Sequence, residues 1–162
     1  MRRPALLLVA SLILTVGLAT PAGAAITPDG FTPTCADQDR PIGEIGRQAA
    51  ERAIVCGLSQ VRRHYDDPSM KANERVRRAA VATLKSGNFT ISRIARALSA
   101  TGYFRSGGRG FQRCSPMRRR VSTTPLDFVT FVVQREGFVI RPPHKNIGVA
   151  FSQNRIFMVV GR

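Results

Sequence analysis

Ile147-Gly148-Val149-Ala150-Phe151, a turn over Ser152 to Arg155, and Ile156-Phe157-Met158-Val159-Val160 together decide the architecture. Two short apolar runs flanking a polar turn read as a β-hairpin. Successive side chains of a strand point to opposite faces, so a strand with one wet face alternates apolar and polar residues. Neither run alternates. Both faces of this hairpin therefore need a cover, and the chain upstream offers helices to make one. The expectation is an α+β fold: a three-layer α/β/α sandwich with a small antiparallel sheet and a C-terminal hairpin.

Working back from the hairpin, Thr124-Pro125-Leu126-Asp127 is a helix start, with a Thr cap, Pro at the first helical position and Asp three residues after the cap. The helix it opens, 125–136, carries Leu126, Phe128, Val129, Phe131, Val132 and Val133 around most of its circumference, so it is expected to be buried on more than one side. Residues 103–122 are rich in Gly and Arg and read mainly as loop, with room for a short strand. Thr90 caps a helix whose apolar side is Ile91, Ile94, Ala95 and Leu98. Another helix is expected over 70–86, with Val76, Ala79, Ala80, Thr83 and Leu84 inward. A long one begins at Ile42 and stops at Asp66-Asp67-Pro68-Ser69. Residues 26–41, with Pro28, Pro33, Pro41 and Gly30, read as an extended lead-in.

The first 25 residues have a basic start (Arg2, Arg3), an apolar run from Ala5 to Ala19, and Ala22-Gly23-Ala24 at its end. The run is short for a bilayer span and reads as a secretory signal peptide cut after Ala24 or Ala25. That divides the chain into 1–25, an N-terminal segment 26–41 and one domain over 42–162. Export removes cytosolic nucleotides and the chromosome from the list of partners and permits disulfides. The implied localisation is extracellular.

The charge is split along the chain. Residues 26–74 hold 6 basic and 8 acidic groups, whereas residues 75–162 hold 17 basic groups and only 2 acidic ones, Asp127 and Glu136. Such a field favours anionic partners. Arg105, Arg109, Arg113, Arg118, Arg119 and Arg120 concentrate it in the Gly-rich loop and are the candidate anion-binding residues. The expected partner is an anionic cell-envelope surface or lipid, not a specific nucleic acid. Composition offers a blander account, since most basic residues are Arg and many serve only solubility.

Of the three cysteines, Cys35 precedes the first helix and Cys56 sits inside it. A bridge between them staples the N-terminal segment to that helix, and Cys114 is left free or paired with another chain. Neither Cys-x-x-Cys nor His-x-His occurs, and His64 and His144 are the only histidines, so no metal or other cofactor is expected.

These pieces, in this order, resemble the CAP superfamily (cysteine-rich secretory, antigen-five and pathogenesis-related proteins), the SCP-like extracellular domain. Ile54-Val55-Cys56-Gly57-Leu58-Ser59-Gln60-Val61-Arg62-Arg63 resembles its Cys-Leu-Val-Asn-x-x-Arg helix. Val76-Arg77-Arg78-Ala79-Ala80 resembles Leu-x-x-Ala-Ala, and Ala100-Thr101-Gly102-Tyr103 its Ala-Gly-Tyr. Thr123-Thr124-Pro125 resembles Ser-Thr-Pro, and Asn146-Ile147-Gly148-Val149-Ala150 its Ile-Gly-Val-Gly strand. The resemblance covers roughly residues 35–162 and implies a secreted α/β/α domain.

It also implies a cleft with two His and two acidic residues, and here the chain departs. Ile91 stands where the family has its first His, Phe111 where it has a Glu, and Phe138 or Arg135 where it has the second His. An apolar side chain cannot coordinate a cation, so the cleft is expected to be degenerate and metal-free. Glu136 and His144 read as loop residues.

Rival classes are weaker. Ile94-Ala95 with the later Phe104, Phe111 and Ser115-Pro116 is similar to arabinose-regulator-type DNA-binding domains. However, Arg105-Ser106-Gly107-Gly108-Arg109-Gly110 falls where a groove-reading helix belongs, and each Gly costs a helix about 1 kcal/mol. No Gly-x-Ser-x-Gly elbow is present, so no catalytic residue is assigned. The expectation is a secreted, non-enzymatic binding or interaction module. The alternative is a cationic protein acting by charge alone on envelope components or nucleic acid.

Overall fold

The computed structural model describes residues 25–137 and 141–162; the expected signal peptide up to residue 24, and Phe138, lie outside the described residues. The elements are α1 (Ile42–His64), β1 (Lys71–Ala72), α2 (Glu74–Ser86), α3 (Ile91–Ala100), a 3-10 turn (Phe104–Ser106), β2 (Phe111–Arg113), β3 (Met117–Arg118), α4 (Pro125–Arg135), β4 (Asn146–Phe151) and β5 (Arg155–Gly161).

The apolar hairpin is β4 and β5, antiparallel from Asn146↔Gly161 to Phe151↔Ile156. On the far side of β5 lie β2 and β3, both antiparallel to it; on the far side of β4, β1 runs parallel. The two faces of β5 feed two cores. Ile156, Met158 and Val160 pack with Ile54, Leu58 and Val61 of α1 and Phe128, Val129 and Val132 of α4. Phe157 and Val159 pack with Val76, Ala79 and Ala80 of α2 and Ile94 and Leu98 of α3. The mixed α+β class and the covered sheet are as the hairpin implies.

Local chemistry starts the helices where the sequence places their caps. Thr124 Oγ1 accepts from Asp127 N (3.1 Å) and Asp127 Oδ2 accepts from Thr124 N (2.8 Å), a reciprocal box. Thr90 caps α3 through Arg93 N. Helix α4 buries Phe128, Val129 and Val132 and half-buries Phe131 and Val133.

Two segments differ from expectation. The helix expected over 70–86 is shorter, because Asn73 takes the cap: its side chain accepts from Arg75 N and Val76 N. Before it, Lys71 N donates to Lys145 O and Asn73 N to Ile147 O, so Met70–Asn73 joins the sheet instead. The lead-in is not an extended arm either. Thr27 N and Ile26 N both donate to Phe31 O, closing a tight loop that puts Ile26 in the core. Three ties hold this segment on α1. Gln60 donates to Thr34 O (2.7 Å) and accepts from Thr34 N (2.8 Å); His64 stacks on Phe31 and meets Asp29 at 2.6 Å; and Cys35 is bridged to Cys56, with Cα atoms 6.1 Å apart. Cys114 is free and fully buried.

Helix α2 touches the sheet where β4 has no side chain. A Cβ on Gly148 meets Arg77 N at 2.3 Å and Val76 C at 2.4 Å, both backbone atoms that cannot swing aside. Gly148→Ala should therefore lower stability by about 1–3 kcal/mol, read from the urea midpoint. Cys35→Ser opens a 21-residue separation and should cost about 3 kcal/mol in the same titration.

Candidate functional site

Strand β1 pairs with only Asn146 and Ile147 of the six-residue β4, because the chain turns into α2 at Asn73. Ile147 O faces that side, accepting from Asn73 N. Residues two apart along a strand point their backbone groups the same way. The N–H and C=O groups of Val149 and Phe151 therefore face a side where no strand follows among the described residues. A cleft of about 830 Å³ opens there, walled by Val149–Asn154, by Arg47, Gln48 and Glu51 of α1, and by Asn73 and the α2 residues Glu74, Arg77, Val81, Leu84 and Lys85.

The charges in it are ordered around Arg77. Its Nε and Nη2 donate to both oxygens of Glu74, at 2.6 and 2.7 Å. This fork holds the Glu74 carboxyl below the usual range. Glu51 goes the other way: burial raises its pKa, against the pull of Arg77 and the Val149 backbone. Facing walls thus hold two carboxylates shifted in opposite directions, Glu74 down by its ion pair and Glu51 up by burial, beside an open strand edge. Such a surface offers donors and acceptors to a polar or extended ligand. No group of three or more His, Cys, Asp or Glu side chains among the described residues is placed to hold a metal ion.

Of the residues that the resemblance assigned to a cleft, the three that are described lie elsewhere. Ile91 sits exposed in the first turn of α3. Phe111 is on β2, beside Phe104 and against the core under α3. Arg135 is exposed at the end of α4. None lines the 830 Å³ cleft. Glu136 and His144 are loop residues by position but not by environment, for both are buried. Glu136 accepts from Ser115 N at 3.0 Å.

Of the arginines proposed for anions, Arg105, Arg109, Arg118 and Arg120 are exposed, whereas Arg113 and Arg119 are half-buried. Arg119 is tied down, its Nη1 donating to Ser152 O at 3.1 Å and its N–H to Asn154 O at 2.8 Å.

A buried polar pair escaped the sequence reading. Arg62 is 1% exposed and His144 2%. Arg62 Nη1 donates to the His144 carbonyl, and His144 Nδ1 lies 3.2 Å from Arg141 O. Arg62 Nε and His144 Nε2 have no partner among the described residues. Arg62 lies one turn after Leu58 on the inward side of α1, and that spacing is the signal that marks it.

The fold is that of an SCP domain. Among solved structures, the chain is similar to an extracellular SCP-domain protein from Bacillus anthracis, with a TM-score of 0.54 and 10% sequence identity, covering 72% of this chain and 44% of that one. The chain therefore spans less than half of that neighbour's length. No family model matches the sequence, and no curated protein does.

The buried histidine makes stability depend on pH. Desolvation, with Arg162 and Arg62 nearby, holds His144 below its ordinary 6.5; the Arg141 carbonyl opposes this. The folded state then binds the proton less well than the unfolded chain. The stabilisation is complete above pH 6.5 and is lost as pH falls from there through the lowered pKa. His144→Gln should flatten that acid limb in denaturant midpoints measured from pH 7.5 to 4.5.

Proposed function

We propose that the protein is a secreted, non-enzymatic SCP-like module that binds ligand in its cleft and rests on an anionic envelope surface through its basic C-terminal half. The observation that carries the binding reading is the 830 Å³ cleft along the unpaired edge of β4. Concave sites with a few convergent polar groups are the usual seats of ligands. Secretion is supported by the signal-like first 25 residues and by the extracellular character of the structural neighbour. The loss of the family's His and Glu at Ile91, Phe111 and Phe138 or Arg135, read from the resemblance, supports a role without that family's metal site.

A second reading, action by charge alone, is favoured by the 17-to-2 excess of basic over acidic groups after residue 74. Salt separates the two, because screening weakens exposed ion contacts far more than a contact inside a cleft. The protein should cosediment with phosphatidylglycerol vesicles at low ionic strength and release at high. Each exposed Arg contributes about 1 kcal/mol at such a surface. Replacing the two exposed arginines of that run, Arg118 and Arg120, with Ser should therefore weaken cosedimentation by tenfold or more. If the unmutated protein does not bind, the basic-face reading fails.

A further inference from the structure

The register of the sheet brings two arginines side by side. Arg118 of β3 is the direct partner of Arg155 at the start of β5. Directly opposed residues of antiparallel strands put their Cβ atoms about 5 Å apart on one face, and like charges there repel. Both side chains are exposed, and neither lies within 4.0 Å of a carboxylate among the described residues. The two acidic residues of this half of the chain are both engaged: Asp127 accepts from Thr124 N in the α4 cap, and Glu136 is buried and accepts from Ser115 N.

The pair is held in place. Arg155 lies over the ring of Phe89, with Cζ 5.8 Å from the centroid, and Phe89 in turn packs on Phe157, two residues further along the same face of β5. Arg119, next to Arg118, is anchored to Ser152 O and Asn154 O. Between the two arginines the surface is concave: a hollow of about 420 Å³ is lined by Pro116, Arg118, Asn154 and Arg155. Asn154 uses its Oδ1 to meet Ser152 Oγ, which leaves its amide nitrogen available as a donor.

We infer that Arg118 and Arg155, with Asn154, form a clamp for a phosphate-class oxyanion at the turn end of the sheet. The ligand supplies the negative charge that the register leaves out. Two guanidinium forks and an amide match the several acceptor oxygens of a phosphate, and the hollow has room for one group of that size. This deepens the basic-face reading and rests on it for the source of the ligand: a free phosphate, or the headgroup of a phospholipid.

The test is a titration of the folded protein with inorganic pyrophosphate, followed by amide NMR. Binding should shift residues 116–119 and 152–156 first. Arg118→Ser and Arg155→Ser should each raise Kd by about tenfold, the loss of a charge-assisted contact, and the double variant should abolish saturation. Arg155→Lys keeps the charge but loses the fork, and should fall between the two. Arg52→Ser/Arg75→Ser removes the same charge elsewhere and should leave Kd unchanged. Unaltered melting of every variant shows that folding is not the cause. A wild-type-like Kd in Arg118→Ser/Arg155→Ser, or an equal loss in Arg52→Ser/Arg75→Ser, overturns the clamp. Phosphatidylglycerol vesicles then identify the source. Parallel loss of vesicle and pyrophosphate binding in the double variant assigns a lipid headgroup. Loss of pyrophosphate binding alone assigns a free phosphate. If the unmutated protein ignores vesicles yet binds pyrophosphate through these arginines, the envelope-surface reading fails and the clamp stands.

Discussion

The first turn of α2 lies against β4 with no side chain between them, and much of the molecule follows from that contact. The backbone of Val76 and Arg77 occupies the space a Cβ on Gly148 needs. Asn73 sets up the approach: it gives its N–H to Ile147, its side-chain amide to Asn146, and its oxygen to the start of α2. A chain committed to that crossing has to leave the sheet at once, so β1 stops at Ala72. The outer edge of β4 beyond Ile147 then has no strand to pair with among the described residues, and the cleft is the space left there. Exposed strand edges invite association with other chains, and proteins commonly blunt them with charge. Arg47, Glu51, Glu74 and Arg77 place charge of both signs along this edge.

The same economy of local chemistry governs the N-terminal segment. Its loop from Ile26 to Phe31 closes on itself, yet it stays in place only because α1 offers His64, Gln60 and Cys56 at successive turns of one side. The Asp29 carboxyl, held to about 2 by hydrogen bonds from Thr27 and His64, stays ionised through any ordinary range of pH. The attachment thus does not loosen by protonation of that carboxylate in mild acid. His144 behaves oppositely, since acid charges a ring that the fold holds dry.

Reading the chain before its structure succeeded where one segment carries its own instructions. The hairpin states that it is covered twice, because its residues do not alternate. Thr90 and Thr124 announce the helices that follow them. What stayed hidden depends on segments meeting through space. Lys71-Ala72 is too short to show a period and becomes a strand only because Ile147 is there to pair with it. Arg62 looks like another solvated arginine, and only the loop that reaches Arg141–His144 turns it into a buried donor. Glu51, Glu74 and Arg77 read as ordinary polar helix positions, and the resemblance drew attention to Ile91, Phe111 and Arg135 instead. No motif within one segment records that the ends of α1, α2 and β4 border a common hollow.

The central strand of the sheet, β5, is made after every element it joins. Strand β5 pairs with β4, β2 and β3, and its two faces anchor both helical layers. Until residues 155–161 have emerged, the sheet lacks the strand whose two faces complete both cores. Long-range pairing of this kind forms slowly, after the loops between the partners have been drawn together. The order of synthesis therefore delays closure of the fold until its central strand is made, however much of the chain before it has already emerged.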